Sequence, residues 1–176
     1  MDVHKEHIFN FDGRKDIEEA RKMSFWKNVS GKTGIYLYIA PNEIEYPFRK
    51  NRIVYIGKAK DLAHRLHYHF TVDMKDKFIK DINVERLVKN EKIKTDALSW
   101  FYQNYFITEN KMQIKCIEFS ERNDRINGIE RLFIGLFALI HGSVPLCNGT
   151  TNRKTFNAAV NNNRDLIECI INEHLG

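Results

Sequence analysis

Cysteine and proline are scarce in this 176-residue chain, at three each, and glycine stands at nine. Cys116, Cys147 and Cys169 are odd in number, and no two are spaced like paired zinc ligands. Neither a disulfide framework nor a zinc module is therefore expected, and buried thiols are. So little proline and glycine beside 43% apolar residues excludes a low-complexity chain and predicts one globular core. No apolar run approaches the roughly eighteen residues of a membrane helix, and the opening MDVHKEHIFNFDGRKD has no stretch of signal-peptide type. No membrane partner is expected, and the chain is placed inside a cell. Its length suits a single domain without a large separate recognition domain.

What charge there is lies unevenly. The net value is +5, yet residues 49–94 alone hold thirteen Lys and Arg against six Asp and Glu, a balance of +7. A basic middle segment of this kind suits a phosphate backbone as partner.

Residues 14–28 can form a helix, with Ile17, Ser24 and Phe25 at helical spacing, ended by Ser30-Gly31-Lys32. Gly34 to Ala40 alternates, placing Ile35, Leu37 and Ile39 on one face of a strand and Tyr36 and Tyr38 on the other, and Pro41-Asn42 closes it. After a polar connector, Arg52 to Ile56 reads as a second, antiparallel strand with Tyr55 opposed to Val54 and Ile56, and Gly57 releases the chain from the sheet. Leu62, Leu66 and Phe70, at steps of four, mark an amphipathic helix, with Arg65 and His69 one turn apart on its neighbouring face. Helical patterning continues over 76–93. Two aromatic and β-branched runs, 99–108 and 112–119, read as a hairpin. The apolar stretch from Ile129 to Ile140 is too long for a typical strand and predicts a largely buried helix whose one acid is Glu130. Gly142 to Pro145 ends it, and a last helix is expected near 155–174. The fold class is α+β: a small antiparallel sheet of three or four strands flanked by helices. Residues 1–33 are expected as an N-terminal helical arm, 34–148 as the core, and 149–176 as a loop and helix packed on it.

Gly34-Ile35-Tyr36 and Tyr55-Ile56-Gly57 stand eighteen residues apart, with Arg65 eight residues after Gly57 and His69 four further on. A lone Tyr-Ile-Gly means little. The combination of both blocks on strands, a glycine turn and an arginine on the following helix is specific, and with it the run YIGKAKDLAHRLHYHF resembles the GIY-YIG nuclease family, above all its repair-type and small phage members. The resemblance covers residues 34–148. It implies that Tyr36 and Tyr55 sit in an active site, that Arg65 contacts the scissile phosphate, and that Glu130 binds a single divalent metal, Mg2+ or Mn2+. Lys58 and His69 match a lysine and a histidine that some members carry. Gly34, Gly57 and Asn148 match positions that support the site. Glu130 lies eighteen residues before Asn148 in Pro145-Leu146-Cys147-Asn148, more than the family's usual spacing, so an insertion is implied, with Glu118 and Glu121 as fallback ligands.

Phosphodiester hydrolysis requires a nucleophilic water, a base, positive charge on the developing oxyanion and a way to stabilise the leaving alkoxide. A phenol titrates near 10, so a tyrosine base at neutral pH costs roughly 4 kcal/mol, to be offset by its surroundings. Either tyrosine can serve as that base, with Tyr55 favoured. Arg65 suits phosphate because its planar fork donates two hydrogen bonds and stays charged. One glutamate in a wet cleft is adequate for magnesium, which keeps several waters. The resemblance implies a stand-alone, metal-dependent DNA endonuclease of restriction or phage type, a monomer or homodimer in a bacterial or phage-infected cytoplasm. The alternative is a DNA-binding or regulatory protein on the same fold that has lost catalysis. Base reading is expected of residues 41–51, 149–157 or the C-terminal helix.

Overall fold

The computed structural model describes residues 4–12, 24–71, 111–148 and 153–176. Among the described residues four strands form one sheet: β1 (Glu6–Asp12), β2 (Gly34–Ile44), β3 (Asn51–Ala59) and β4 (Lys111–Glu118). Their order is β1-β4-β2-β3, and every pairing is antiparallel. Helices α1 (Ser24–Val29), α2 (Leu62–Thr71), α3 (Ile126–His141) and α4 (Arg153–Asn162) surround it. The α+β class expected from the sequence is what the chain adopts.

β2 is the strand that organises the core. It lies between β3 and β4, and from Gly34 to Tyr38 every residue is buried, so both of its faces are covered. Alternation then divides the interior in two. Tyr36 and Tyr38 join Phe9, Ile114, Cys116, Val29 of α1 and Leu62 and Leu66 of α2 in one cluster. Ile35 and Leu37 join Ile117 and the α3 residues Ile129, Leu132, Phe133, Leu136 and Phe137 in the other. Each such side chain contributes about 1.5–3 kcal/mol by leaving water. Gly142 ends α3 in the left-handed conformation (φ 86°), its N–H donating to Ala138 O at 2.9 Å, and a Cβ there would also meet Pro47 at 2.8 Å.

Several local expectations are corrected. Residues 6–12 of the supposed helical arm form an edge strand that registers His7 against Cys116 and Phe9 against Ile114. β2 runs past Pro41 to Ile44, and Gly57 does not release the chain, because β3 continues to Ala59 opposite Gly34. Within β3 the register slips from Tyr38↔Tyr55 to Ile39↔Ile53, leaving Val54 as the extra residue of a bulge. Val54 consequently shares the face of Tyr55 instead of opposing it, and both pack in the tyrosine cluster. The expected C-terminal helix breaks at Asn163, whose Nδ2 donates to Ala159 O at 2.9 Å while its Oδ1 accepts from Arg125 Nε at 2.9 Å. Asparagine side chains compete with helical backbone bonds in this way. The expected helix over 76–93 and the strand over 99–108 lie outside the described residues.

Candidate active site

The cleft forms where β2, β3, α2 and α3 meet. The turn from β3 into α2 is pinned to the start of β2: Thr33 Oγ1 donates to Lys60 O at 3.0 Å and Leu62 N–H to Lys32 O at 2.9 Å. Asp61 then caps α2, its Oδ1 accepting from His64 N–H at 3.1 Å. With the helix so placed, Arg65 reaches back over the tyrosine face of the sheet.

Tyr36, Tyr55, Lys58, Asp61, His64, Arg65, Asn127 and Glu130 line one cleft of about 480 Å³. Five of the six residues assigned catalytic roles from the sequence are thereby brought together: Tyr36, Tyr55, Lys58, Arg65 and Glu130. His69, the sixth, falls late in α2, where side chains lie outside the described residues.

Tyr36 pairs directly with Gly57, and its ring lies across that glycine. A Cβ on residue 57 would stand 2.5 Å from the Tyr36 hydroxyl and 2.8 Å from the Tyr55 ring, so the glycine is a requirement of the tyrosine packing. Gly34 is required for a similar reason: a Cβ there would strike Ile117 O and come within 3.0 Å of Leu62. Tyr38, which the sequence placed on the same face but not in the site, completes a trio with ring centroids 5.4–5.8 Å apart.

Burial raises the Tyr36 phenol well above its ordinary value of 10.0, and the neighbouring Tyr55 and Tyr38 hydroxyls add to the rise, while the Arg65 charge and hydrogen bond oppose it. Tyr36 is therefore a neutral phenol throughout the physiological range. For Arg65, burial works against the charge, but the hydrogen bond and proximity to the tyrosines prevail and its pKa rises. Tyr55 differs from Tyr36 in being only partly buried.

Across the cleft Glu130, in the second turn of α3, forms an ion pair with Lys58 of β3. The two fallback acids are elsewhere. Glu118 pairs with Lys32 at 3.0 Å and His7 at 3.5 Å and accepts from Ser120 Oγ at 3.1 Å. Partial burial would raise its carboxyl pKa, but those partners outweigh burial and hold it below 4.5. Glu121 is exposed on a 3-10 turn, and neither acid lines the cleft.

Asn148 does not line the cleft either. Its Nδ2 donates to Ile56 O at 2.8 Å and its Oδ1 accepts from Ile56 N–H at 2.8 Å, while Cys147 N–H donates to Val54 O at 2.8 Å. The side-chain amide thus imitates a neighbouring strand along the outer edge of β3, directly behind the Tyr55-Ile56-Gly57 block. This is a supporting role for the strand. The long separation between Glu130 and Asn148 is spanned by the remaining turns of α3 and the Gly142 to Cys147 turn.

A divalent cation in this cleft would find one carboxylate, Glu130, already facing a cation in Lys58, with Asp61 partly spent on its capping bond. That donor set fits a magnesium-type ion, which takes one or two carboxylates and keeps its waters. His64, which was given no role from the sequence, stands exposed at the cleft wall, and Asn127 joins it from α3. Comparisons with protein-family models, with curated proteins and with solved structures return no match.

Proposed function

We propose that the protein is a metal-dependent DNA endonuclease of restriction or phage type that hydrolyses phosphodiester bonds in this cleft. One observation carries the reading: two tyrosines, a lysine, an arginine and a glutamate from β2, β3, α2 and α3 line one cleft although the chain separates them by as many as 94 positions. The basic segment beginning at residue 49 supports a polyanionic substrate.

Arg65 is the phosphate ligand: its guanidinium keeps its charge and presents paired donors to two phosphate oxygens. Tyr36, neutral and hydrogen-bonded to Arg65, orients that guanidinium and serves as a donor. Tyr55, the phenol only partly buried, is the better proton acceptor for the attacking water, because holding Tyr36 as phenolate costs more than the roughly 4 kcal/mol a free phenol needs at neutral pH. Water oxygen attacks phosphorus as Tyr55 takes its proton, the P–O bond on the far side breaks, and the departing alkoxide takes a proton from solvent. Lys58, the present ion-pair partner of Glu130, would stabilise that charge when a cation occupies the carboxylate. Glu130 would hold Mg2+ or Mn2+, which would supply positive charge to acidify water and neutralise the phosphate.

A second reading, DNA binding without cleavage, is favoured by the Lys58 partnership with Glu130, which already neutralises the cleft's metal-ligand candidate. Supercoiled plasmid with Mg2+ and with chelator separates the two. The nuclease reading expects nicking or fragments only with Mg2+, while retardation of DNA on a gel persists in chelator. Retardation without cleavage in either condition would select the binding protein.

A further inference from the structure

The last two turns of the chain bring together three metal-ligand chemistries away from the cleft. After Asn163 the winding passes from a 3-10 turn (Arg164–Leu166) through a short α turn (Ile167–Cys169) to a π turn (Ile170–Leu175). The wider π winding, with its i→i+5 bonds, gathers side chains that an α-helix would splay apart. Cys169 Sγ, a Glu173 carboxylate oxygen and a His174 ring nitrogen all lie within 4.8 Å of one another, with Sγ 3.4 Å from Glu173 Oε2.

His174 supplies the second observation. Its side chain is 1% exposed, yet among the described residues Nε2 meets no hydrogen-bond partner, and Nδ1 has only Glu6 Oε1 beside it, 3.1 Å away. The ring is stacked on Phe133 at 5.8 Å, which fixes its plane. A buried imidazole nitrogen without a hydrogen bond is costly and calls for a partner. Glu173 is exposed and Cys169 only partly buried, so an ion can enter from solvent.

We propose that Cys169, Glu173 and His174 bind a zinc-class divalent cation, with water completing the tetrahedron. Sulfur, nitrogen and oxygen together select a borderline-soft ion over Mg2+. The thiol gives up its proton to solvent as the metal–sulfur bond forms, so thiolate and carboxylate balance the dication. Glu6 is placed as the outer carboxylate that commonly orients a ligating imidazole, its own charge answered by Lys115 Nζ at 2.6 Å. Such an ion would tie the C-terminal turns to β1 and β4 through Glu6 and Lys115.

Titrating the full-length reduced protein with Co2+ tests this without reference to DNA cleavage. The expected result is a near-ultraviolet thiolate-to-cobalt band saturating at one equivalent, bleached by Zn2+ and untouched by Mg2+. Cys169→Ser abolishes the band, Glu6→Gln weakens binding by about tenfold, and Glu130→Gln leaves both unchanged, so this site and the cleft stand or fall separately. Far-ultraviolet circular dichroism verifies that each variant is folded. No band in the folded wild-type chain, or a band that survives Cys169→Ser, would overturn the proposal.

Discussion

Across β2 the same few residues face two different interiors. Ile35 and Leu37 meet the aliphatic and aromatic layer of α3, whereas Tyr36 and Tyr38 meet Tyr55 and the apolar side of α2. The α3 face is held chiefly by apolar burial, with the Tyr46 hydroxyl donating to Ile53 O at 2.6 Å at its edge. The tyrosine face must also accommodate phenol hydroxyls and the partly buried Arg65, whose hydrogen bond to Tyr36 offsets part of that cost. One strand thus supports stability on one side and the proposed chemistry on the other, and the two should respond to different substitutions.

The largest effect should come from the apolar side. Phe133→Ala removes a fully buried ring, and a loss of about 3–5 kcal/mol is expected in urea unfolding. A near-neutral result would mean that the α3 layer is not the main support. Arg65→Ala should invert the pattern, cutting plasmid cleavage by about 10²–10³-fold while the melting temperature changes little. A cleavage loss matched by equal destabilisation would merge the two faces. Asn148→Ala sits between the classes. It strips Ile56 of both partners on the outer edge of β3, and about 1–3 kcal/mol is expected from thermal unfolding.

The smallest effect is a pH dependence on the apolar side. His141 is fully buried at the end of α3, its Nε2 3.2 Å from Asn51 Nδ2 and from Leu175 O. Burial lowers its pKa below 6.5, and hydrogen bonds that the ring donates to the backbone of Leu175 and Arg49 oppose that only in part. Because the folded pKa is depressed, the unfolded chain takes up the proton first. The contribution is fully present above about pH 6.5 and is lost as pH falls through the folded value. His141→Gln should flatten the acid side of the stability curve measured by thermal melts between pH 7 and 5.

The tyrosine face was legible in the sequence because Gly34 to Tyr38 alternates cleanly and sits at the middle of the sheet, where register is strictly set. The convergence of Arg65 with the two tyrosines was implied by the resemblance of the two blocks and the helix arginine; helical spacing by itself reported only that Arg65 and His69 share a face. Strand β1 was not legible, for its pattern is inverted: His7 is 8% exposed and Ile8 54%, so the polar residue turns in to meet Glu118 and the apolar one turns out. The bulge at Val54 leaves no mark in a run of β-branched residues, since Ile53, Val54 and Ile56 fit either face. Asn148 was visible as a motif, but its clamp on Ile56 links residues 92 apart and no local pattern reports it. Cysteine spacing likewise gave no sign of Cys169 beside Glu173 and His174, because the π turn that gathers them is not a periodicity a sequence displays.

The central claim, that the cleft between the tyrosine face and α3 cuts DNA with the help of an ion at Glu130, is tested most directly by Glu130→Gln, which keeps the side-chain shape and removes the charge. Wild-type and variant protein, matched for melting temperature, are incubated with supercoiled plasmid in Mg2+ and in Mn2+. The account predicts nicking by the wild type in both ions and none by the variant, with DNA retardation on a gel preserved. Equal nicking by the two proteins, or no nicking by a folded wild type that still binds DNA, would contradict it.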